Sequence, residues 1–95
     1  MDSMQIQKPP IYLKAITLRD SSDISRIKDE VKKDTILILR VTPLAQKDVE
    51  ELRKIIEELY GYVQSTGGNI ARLGEERIVV TPSSIKIWRE GYGLK

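Results

Sequence analysis

The chain has neither cysteine nor histidine among its 95 residues. Without cysteine it cannot form a disulfide, a thiolate zinc site or a thiol nucleophile, and this absence suits a reducing cytoplasm. Without histidine it also lacks the commonest transition-metal ligand and the commonest general base at neutral pH. We therefore expect no metal site and no cofactor, and we expect that the protein is not an enzyme.

Aromatic side chains and long apolar runs are also scarce. The four tyrosines and one tryptophan are too few and too scattered to form the stacking platform of single-strand nucleic-acid binders. No stretch approaches the roughly 18 to 20 consecutive apolar residues that span a bilayer. Residues 1–10 have no signal-peptide core, and Pro9 and Pro10 stop a helix there from continuing, so we expect a flexible tail.

The remaining composition is sufficient for one small domain. Hydrophobic residues make up 40% of the chain and charged residues 32%, and a chain of this length cannot be divided into two stable cores. Basic and acidic residues are interleaved along the chain, and the net charge is +2. The overall charge therefore identifies no partner. We expect a single domain over residues 11–90 and a C-terminal tail over residues 91–95. Dimerisation would stabilise so small a core.

The first half of the chain predicts a β-α-β unit. Residues 11–18 have the length and β-branched content of a strand, and the potential N-caps Asp20 and Asp23 precede an amphipathic helix that ends near Lys33. Residues 36–41 are apolar on both faces, which predicts a central strand covered on each side. A strand, a crossover helix and a second strand predict parallel pairing with a right-handed connection.

The second half predicts a long helix followed by three strands. Thr42 is the predicted N-cap of the long helix, and Pro43 is its predicted first residue. The doublet Gly67-Gly68 is the predicted C-cap. Strands are predicted over residues 70–73 and 77–81, joined by a three-residue turn, and over residues 85–89. The predicted fold is an α/β (α+β) two-layer sandwich with a mixed sheet of about five strands and two helices on one face, in the order β-α-β-α-β-β-β.

The long helix has more apolar surface than one sheet face requires. One side can cover the sheet while a seam that includes Val49, Leu52, Ile56 and Leu59 packs on a second copy. The alternative is that all of these residues belong to the core of the protomer. On the polar side, glutamates alternate with lysine and arginine at i,i+4-type spacing, which favours a solvated face over a catalytic pair.

Basic residues on the terminal strands leave a second function open. A basic sheet surface could bind the nucleic-acid backbone, although solvated charges on exposed strands are the commoner outcome in a chain of this composition. A small regulatory or ligand-binding module is a third possibility. The basic residues concerned are Lys14, Arg72, Arg77, Lys86 and Arg89.

From the end of the long helix onward, the sequence resembles the core domain of the SepF family of cell-division adaptors. The resemblance rests on Leu59-Tyr60-Gly61, the doublet Gly67-Gly68, Ile70-Ala71-Arg72, the small turn and apolar strand that follow, and Thr81-Pro82, in that order and spacing. It extends over roughly residues 11–88. It implies a homodimer, possibly a higher polymer, that binds the C-terminal tail of the filament protein FtsZ at the cytoplasmic division site and links the division ring to the membrane, without catalysis.

Membrane attachment in this family usually depends on an N-terminal amphipathic helix and a flexible linker. Residues 1–10 are too short and too polar for such a helix. We therefore expect the protein to reach the membrane only indirectly, and we consider nucleic acid an improbable partner.

The resemblance also implies two sites. The basic residue of the family's peptide pocket falls on Arg72, the large apolar residue falls on Ile78, where family members often have phenylalanine, and Val80 follows on the same strand. The alternative is that Ile78 and Val80 are core residues that face the helices. Gly61 falls on the family's glycine at contacts between dimers. Close helix approach would offset the cost of about 1 kcal/mol for a helical glycine, and a helix end or kink is the alternative. The expected dimer or polymer interface comprises Val49, Leu52, Ile56, Leu59, Gly61 and Val63.

Overall fold

The structure, a computed structural model, describes residues 10–88. The predicted tails, residues 1–10 and 91–95, lie outside these residues except for Pro10. A 3₁₀ turn, Ser21–Asp23, precedes the first helix. Asp20 is the N-cap of this turn, because its side chain accepts a hydrogen bond from the Ser22 N–H. The elements are β1 (Tyr12–Thr17), α1 (Ile24–Lys32), β2 (Thr35–Arg40), α2 (Thr42–Lys47), α3 (Val49–Thr66), β3 (Asn69–Leu73) and β4 (Arg77–Thr81).

Four strands form one mixed sheet in the order β1-β2-β4-β3. β1 pairs with β2 in parallel, and β4 runs antiparallel to both β2 and β3. The parallel β-α-β unit and the central place of β2 are therefore confirmed. The β3-β4 hairpin is also confirmed, and its turn contains Gly74 at a φ of 77°, a conformation that glycine adopts without steric cost.

The prediction of a fifth strand is wrong for residues 85–88, and Arg89 lies outside the described residues. Pro82 has no N–H to give to a strand ladder. The Ile85 N–H instead donates to the Pro82 carbonyl at 3.0 Å, and the Thr81 hydroxyl donates to the Ile85 carbonyl at 3.1 Å. This turn uses both the N–H and the carbonyl of Ile85, which a strand would instead pair with a neighbouring strand.

The predicted single long helix is in fact two helices, α2 and α3. Between them Asp48 is extended, with φ −161° and ψ 96°. Its carboxylate accepts a hydrogen bond from the Glu51 N–H at 3.1 Å, so Asp48 is the N-cap of α3. Thr42, the predicted cap, is instead the first residue of α2. Its buried hydroxyl oxygen has no hydrogen-bond partner among residues 10–88.

The glycines in and after α3 have different roles. The helix runs through Gly61 to Thr66, so the helix end considered for that position does not occur. Gly67 ends the helix at a φ of 85°, which confirms the predicted C-cap. At Gly68, an added Cβ would lie 2.3 Å from the Thr81 carbonyl oxygen. Only glycine allows β3 to start this close to the end of β4.

One face of the sheet forms the core together with all three helices. The register places Leu37 beside Val80 and Leu39 beside Ile78, so these four side chains lie on one face. Leu59 and Val63 of α3 pack into the same cluster with no exposed surface. The core comprises Ile16, Leu18, Ile24, Ile27, Val31, Leu37, Leu39, Val41, Leu44, Ile55, Leu59, Val63, Ile78 and Val80.

Polar contacts from α1 add to the apolar packing of α3. The Lys28 ammonium lies 3.0 Å from a carboxylate oxygen of Glu58 and 5.2 Å from the ring centroid of Tyr62. Exposed pairs of this kind contribute about 0 to 1 kcal/mol. Burial of Leu59 and Val63 is therefore the main contribution to the position of α3.

No described helix covers the opposite face of the sheet. Ile36 and Ile38 of β2 point to this face and are only half-buried, and Leu13 and Leu73 are 63% and 52% exposed. The apolar pattern of β2 predicts cover on both sides, whereas within the described protomer the helices cover only one.

Candidate functional site

A groove of about 350 Å³ opens between α2, the first half of α3 and the β3-β4 hairpin. Its apolar lining comes from all of these elements and from the residue between β2 and α2. These apolar residues are Val41, Ala45, Val49, Leu52, Ile56 and Ile78. Four charged residues complete the groove, namely Arg53, Glu57, Arg72 and Glu75.

The hairpin register brings the two expected pocket residues together. Arg72 on β3 lies directly opposite Ile78 on β4, so the two side chains share the helix-covered face of the sheet. Ile78 is 6% exposed and forms part of the apolar lining. Arg72 lies on an edge strand and is exposed. The groove therefore combines an apolar surface with an accessible guanidinium.

Val80, the third residue expected in the peptide site, lies elsewhere. It is fully buried beside Leu37 and Ile70 and does not line the groove. In this structure it supports β4 from within the core and has no surface that a partner could contact.

The residues expected at a dimer interface divide into two groups. Val49, at 63% exposed, and the half-buried Leu52 and Ile56 are accessible and line the groove. Gly61 is exposed, and an added Cβ would have no atom within 4 Å apart from the neighbouring residues and backbone of its own helix. The remaining two residues, Leu59 and Val63, have no exposed surface in the protomer.

The charged residues of the groove differ in how they are bonded. Arg53 donates to Glu50 at 2.7 Å and to Glu57 at 3.0 Å, and the hydrogen bond that it donates to Glu50 is the main reason that the pKa of Arg53 is raised. These bonds agree with the predicted solvated face of α3. Within residues 10–88, the side chains of Arg72 and Glu75 form no hydrogen bond or ion pair.

A second, polar pocket lies at the far end of the sheet, where β1 and β2 begin. The Lys14 ammonium is 2.6 Å from one oxygen of Glu30, and the Thr35 hydroxyl is 3.4 Å from the other. The hydrogen bond from Lys14 is the main cause of the lowered pKa of Glu30. Tyr12 and Lys33 complete the lining. A structural ion pair at a sheet edge accounts for this arrangement.

The basic residues considered for nucleic-acid binding do not share one surface. Lys14 and Arg72 lie on the helix-covered face but on opposite edge strands, and Arg77 points to the other face. Lys86 follows the sheet, and Arg89 is outside the described residues. Lys14 is also paired with Glu30. The nucleic-acid alternative gains no support from this arrangement.

Other features that would indicate a different class of protein are missing from the described part of the chain. Between residues 10 and 88 no cluster of three or more acidic side chains could hold a metal ion. In the same range no helix has both the length and the apolar character needed to cross a membrane.

Sequence reasoning missed several groove residues. Val41, Arg53, Glu57 and Glu75 were not predicted as site residues. Arg53 and Glu57 have the spacing of a solvated helix face, and Val41 has the character of a buried strand end. The one signal for Glu75 is its place in the turn of the hairpin that contains Arg72.

Comparison with known proteins gives a consistent result. The family described as "Cell division protein SepF" matches residues 13–87. The SepF-like protein from Pyrococcus furiosus has 30% sequence identity and a TM-score of 0.79, with 87% of this chain and 100% of that chain covered. The SepF-like protein from Archaeoglobus fulgidus has 22% identity and a TM-score of 0.78, with 86% and 98% covered, and this likeness shows the fold. No curated protein matches.

The family match extends over most of the chain and includes both walls of the groove. The resemblance seen in the sequence is thereby confirmed, and with it the α+β fold class. The chain belongs to the SepF family, and its role is in cell division.

Proposed function

We propose that this protein is a non-catalytic adaptor that binds the C-terminal tail of FtsZ in the groove between α3 and the β3-β4 hairpin. The observation that carries this proposal is the meeting of Arg72 and Ile78 at one accessible groove. The family resemblance implies these two residues for peptide binding. An apolar surface anchors a docking segment, and a charged group orients it.

The size and lining of the groove suit a short peptide. Its volume of about 350 Å³ is near the lower end for ligand pockets, which hold about 300 to 1,000 Å³. A groove of this size accepts a few side chains and not a folded domain. Six apolar residues line it, so apolar side chains of the tail provide most of the contact.

We further propose that the protein acts as a homodimer through α3. The accessible part of the interface is Val49, Leu52, Ile56 and Gly61, and the buried Leu59 and Val63 hold the helix in place beneath it. The absence of a side chain at Gly61 allows a second helix to approach closely. A polymer of dimers is an extension of the same proposal. The adaptor would help to organise the division ring at the cytoplasmic side of the division site.

Titration of a labelled FtsZ tail peptide tests the groove. Arg72→Ala should weaken binding about tenfold or more, because a charge-assisted hydrogen bond contributes about 1.5 to 3 kcal/mol. Arg77→Ala is the matched control, since it removes the same charge from the same hairpin but on the opposite face. Binding should be unchanged in that variant. An unaltered protein that fails to bind the peptide at about millimolar concentration would rule out the proposed function.

Sedimentation analysis tests the dimer. Leu52→Glu or Ile56→Glu should yield monomers with secondary structure retained, because both side chains are half-buried at the surface of α3. Leu13→Glu, on the uncovered face of the sheet, is the comparison. If Leu13→Glu yields monomers and Leu52→Glu does not, the interface lies on the sheet and the α3 assignment is wrong. A monomeric unaltered chain would exclude the dimer altogether.

A further inference from the structure

The charges of the groove are balanced but unequally bonded. Two basic and two acidic side chains line it, so their charges cancel and a purely acidic segment gains no net attraction. On the α3 wall, Arg53 is held by Glu50 at 2.7 Å and by Glu57 at 3.0 Å. These two carboxylates already neutralise the guanidinium, so it offers a ligand little net attraction.

The hairpin wall presents its charges differently. Arg72 on β3 and Glu75 in the turn are both exposed and both line the groove. Among residues 10–88 they form no ion pair, either with each other or with a neighbour. A bound segment can therefore meet two separate charges of opposite sign along the same wall, the positive charge of Arg72 and the negative charge of Glu75.

We propose that Glu75 is a specificity-determining residue of the groove, and that the bound segment carries a basic side chain that meets Glu75 and an acidic group that meets Arg72. Apolar side chains of the segment lie on the groove lining. This inference rests on the proposed peptide-binding function and adds a requirement to it. A segment with only acidic charge meets Glu75 unfavourably, and one with only basic charge meets Arg72 unfavourably.

Charge reversal at Glu75 tests the assignment with the FtsZ tail peptide as parent probe. Glu75→Lys turns an attraction into a repulsion, so it should weaken binding of the parent about fivefold at low salt. The loss should shrink at about 1 M salt, where exposed charges are screened. A second peptide, in which glutamate replaces the basic residues of the parent, should bind Glu75→Lys better than the unaltered protein.

Glu76→Lys is the matched control. Glu76 is the next residue in the same turn, and its side chain is exposed and does not line the groove, while only its backbone carbonyl bonds to the Val41 N–H. This variant makes the same charge change to the protein and should leave the affinity for both peptides within about twofold of the unaltered value.

The outcomes distinguish this inference from the proposed function. Loss of affinity in Glu75→Lys with recovery by the reversed peptide supports the inference. If the parent peptide binds but Glu75→Lys and Glu76→Lys have equal effects, Glu75 has no such role and the adaptor function stands. If the parent peptide does not bind the unaltered protein at about millimolar concentration, both proposals fail.

Discussion

Replacing Gly61 with alanine should have opposite effects on the protomer and on the proposed dimer. Gly61 lies inside α3, and an ideal Cβ built there has no atom within 4 Å apart from the neighbouring residues and backbone of its own helix. Within the protomer the substitution therefore introduces no clash. It should stabilise the helix by about 1 kcal/mol, the difference in helix propensity between glycine and alanine, which raises the Tm of a domain of this size by about 4 to 8 °C.

The dimer should respond in the other direction. If a second α3 packs over Gly61, the new methyl group enters a close helix contact. Overpacking of this kind costs about 1 to 3 kcal/mol, which corresponds to an association about 5- to 150-fold weaker. A higher Tm together with a weaker association would therefore indicate that Gly61 allows a second helix to approach closely. A higher Tm alone would indicate a glycine that is merely tolerated on an exposed helix surface.

Two measurements on the same samples test this prediction. Sedimentation equilibrium over a range of concentrations gives the association constant, and thermal unfolding at a dilution where the dimer has dissociated gives the stability of the protomer. Ser25→Ala, at an exposed position on α1, is the control, because it also introduces a better helix former but lies on a different helix, and it should leave the association unchanged. A Gly61→Ala protein with a higher Tm and an unchanged association constant would show that no helix packs at this position.

Three further predictions concern the protomer alone. Gly68→Ala would place a Cβ 2.3 Å from the Thr81 carbonyl oxygen, a backbone atom that cannot retreat without disturbing the hairpin, so the free energy of unfolding should fall by at least about 2 kcal/mol; an unchanged denaturation midpoint would contradict the close approach. Asp48→Ala removes the N-cap of α3 and should cost about 1 kcal/mol in the same assay, whereas asparagine should largely restore it. Lys14→Ala should let the pKa of Glu30 return toward its ordinary value of 4.5. Because that pKa is lowered in the folded state, its contribution is present above the unfolded pKa and is lost as the pH falls through the folded pKa. The variant should therefore be less stable than the unaltered protein at about pH 7, and the two stabilities should converge in acid. A stability difference that grows on acidification would refute this.

The elements that sequence patterns predicted correctly have local causes. The β3-β4 turn and the helix end at Gly67 each depend on residues a few positions apart, and the crossover from β1 to β2 follows from the order strand, helix, strand. The break at Asp48 was missed because apolar spacing continues from Ala45 to Val49 across it. The signal was present, since an aspartate followed three positions later by Glu51 is a capping pattern.

The candidate site was predictable only in part. A three-residue turn sets the hairpin register, so the pairing of Arg72 with Ile78 follows from the sequence once the hairpin is recognised. Helical periodicity, however, does not distinguish an apolar side that faces the sheet from one that faces a partner. For this reason Leu59 and Val63 were grouped with Leu52, although the structure buries them in the core.

Peptide binding and dimerisation should be coupled, because the same side chains serve both. Val49, Leu52 and Ile56 line the groove and form part of the proposed α3 interface. A second helix that packed directly on them would fill the groove and compete with the peptide. A second helix that crosses α3 near Gly61 would instead stand beside the groove as an additional wall.

Only the second arrangement leaves the groove open, so it is the one in which the peptide proposal and the dimer proposal hold together. Peptide affinity should then fall when the unaltered protein is diluted through its dimer dissociation constant. By linkage, saturating peptide should strengthen the dimer by the same factor that the dimer strengthens peptide binding. Both factors can be measured by titration at several protein concentrations and by sedimentation with and without peptide. Tighter peptide binding on dilution would mean that the partner helix occupies the groove, because competition and support by a second copy shift the affinity in opposite directions.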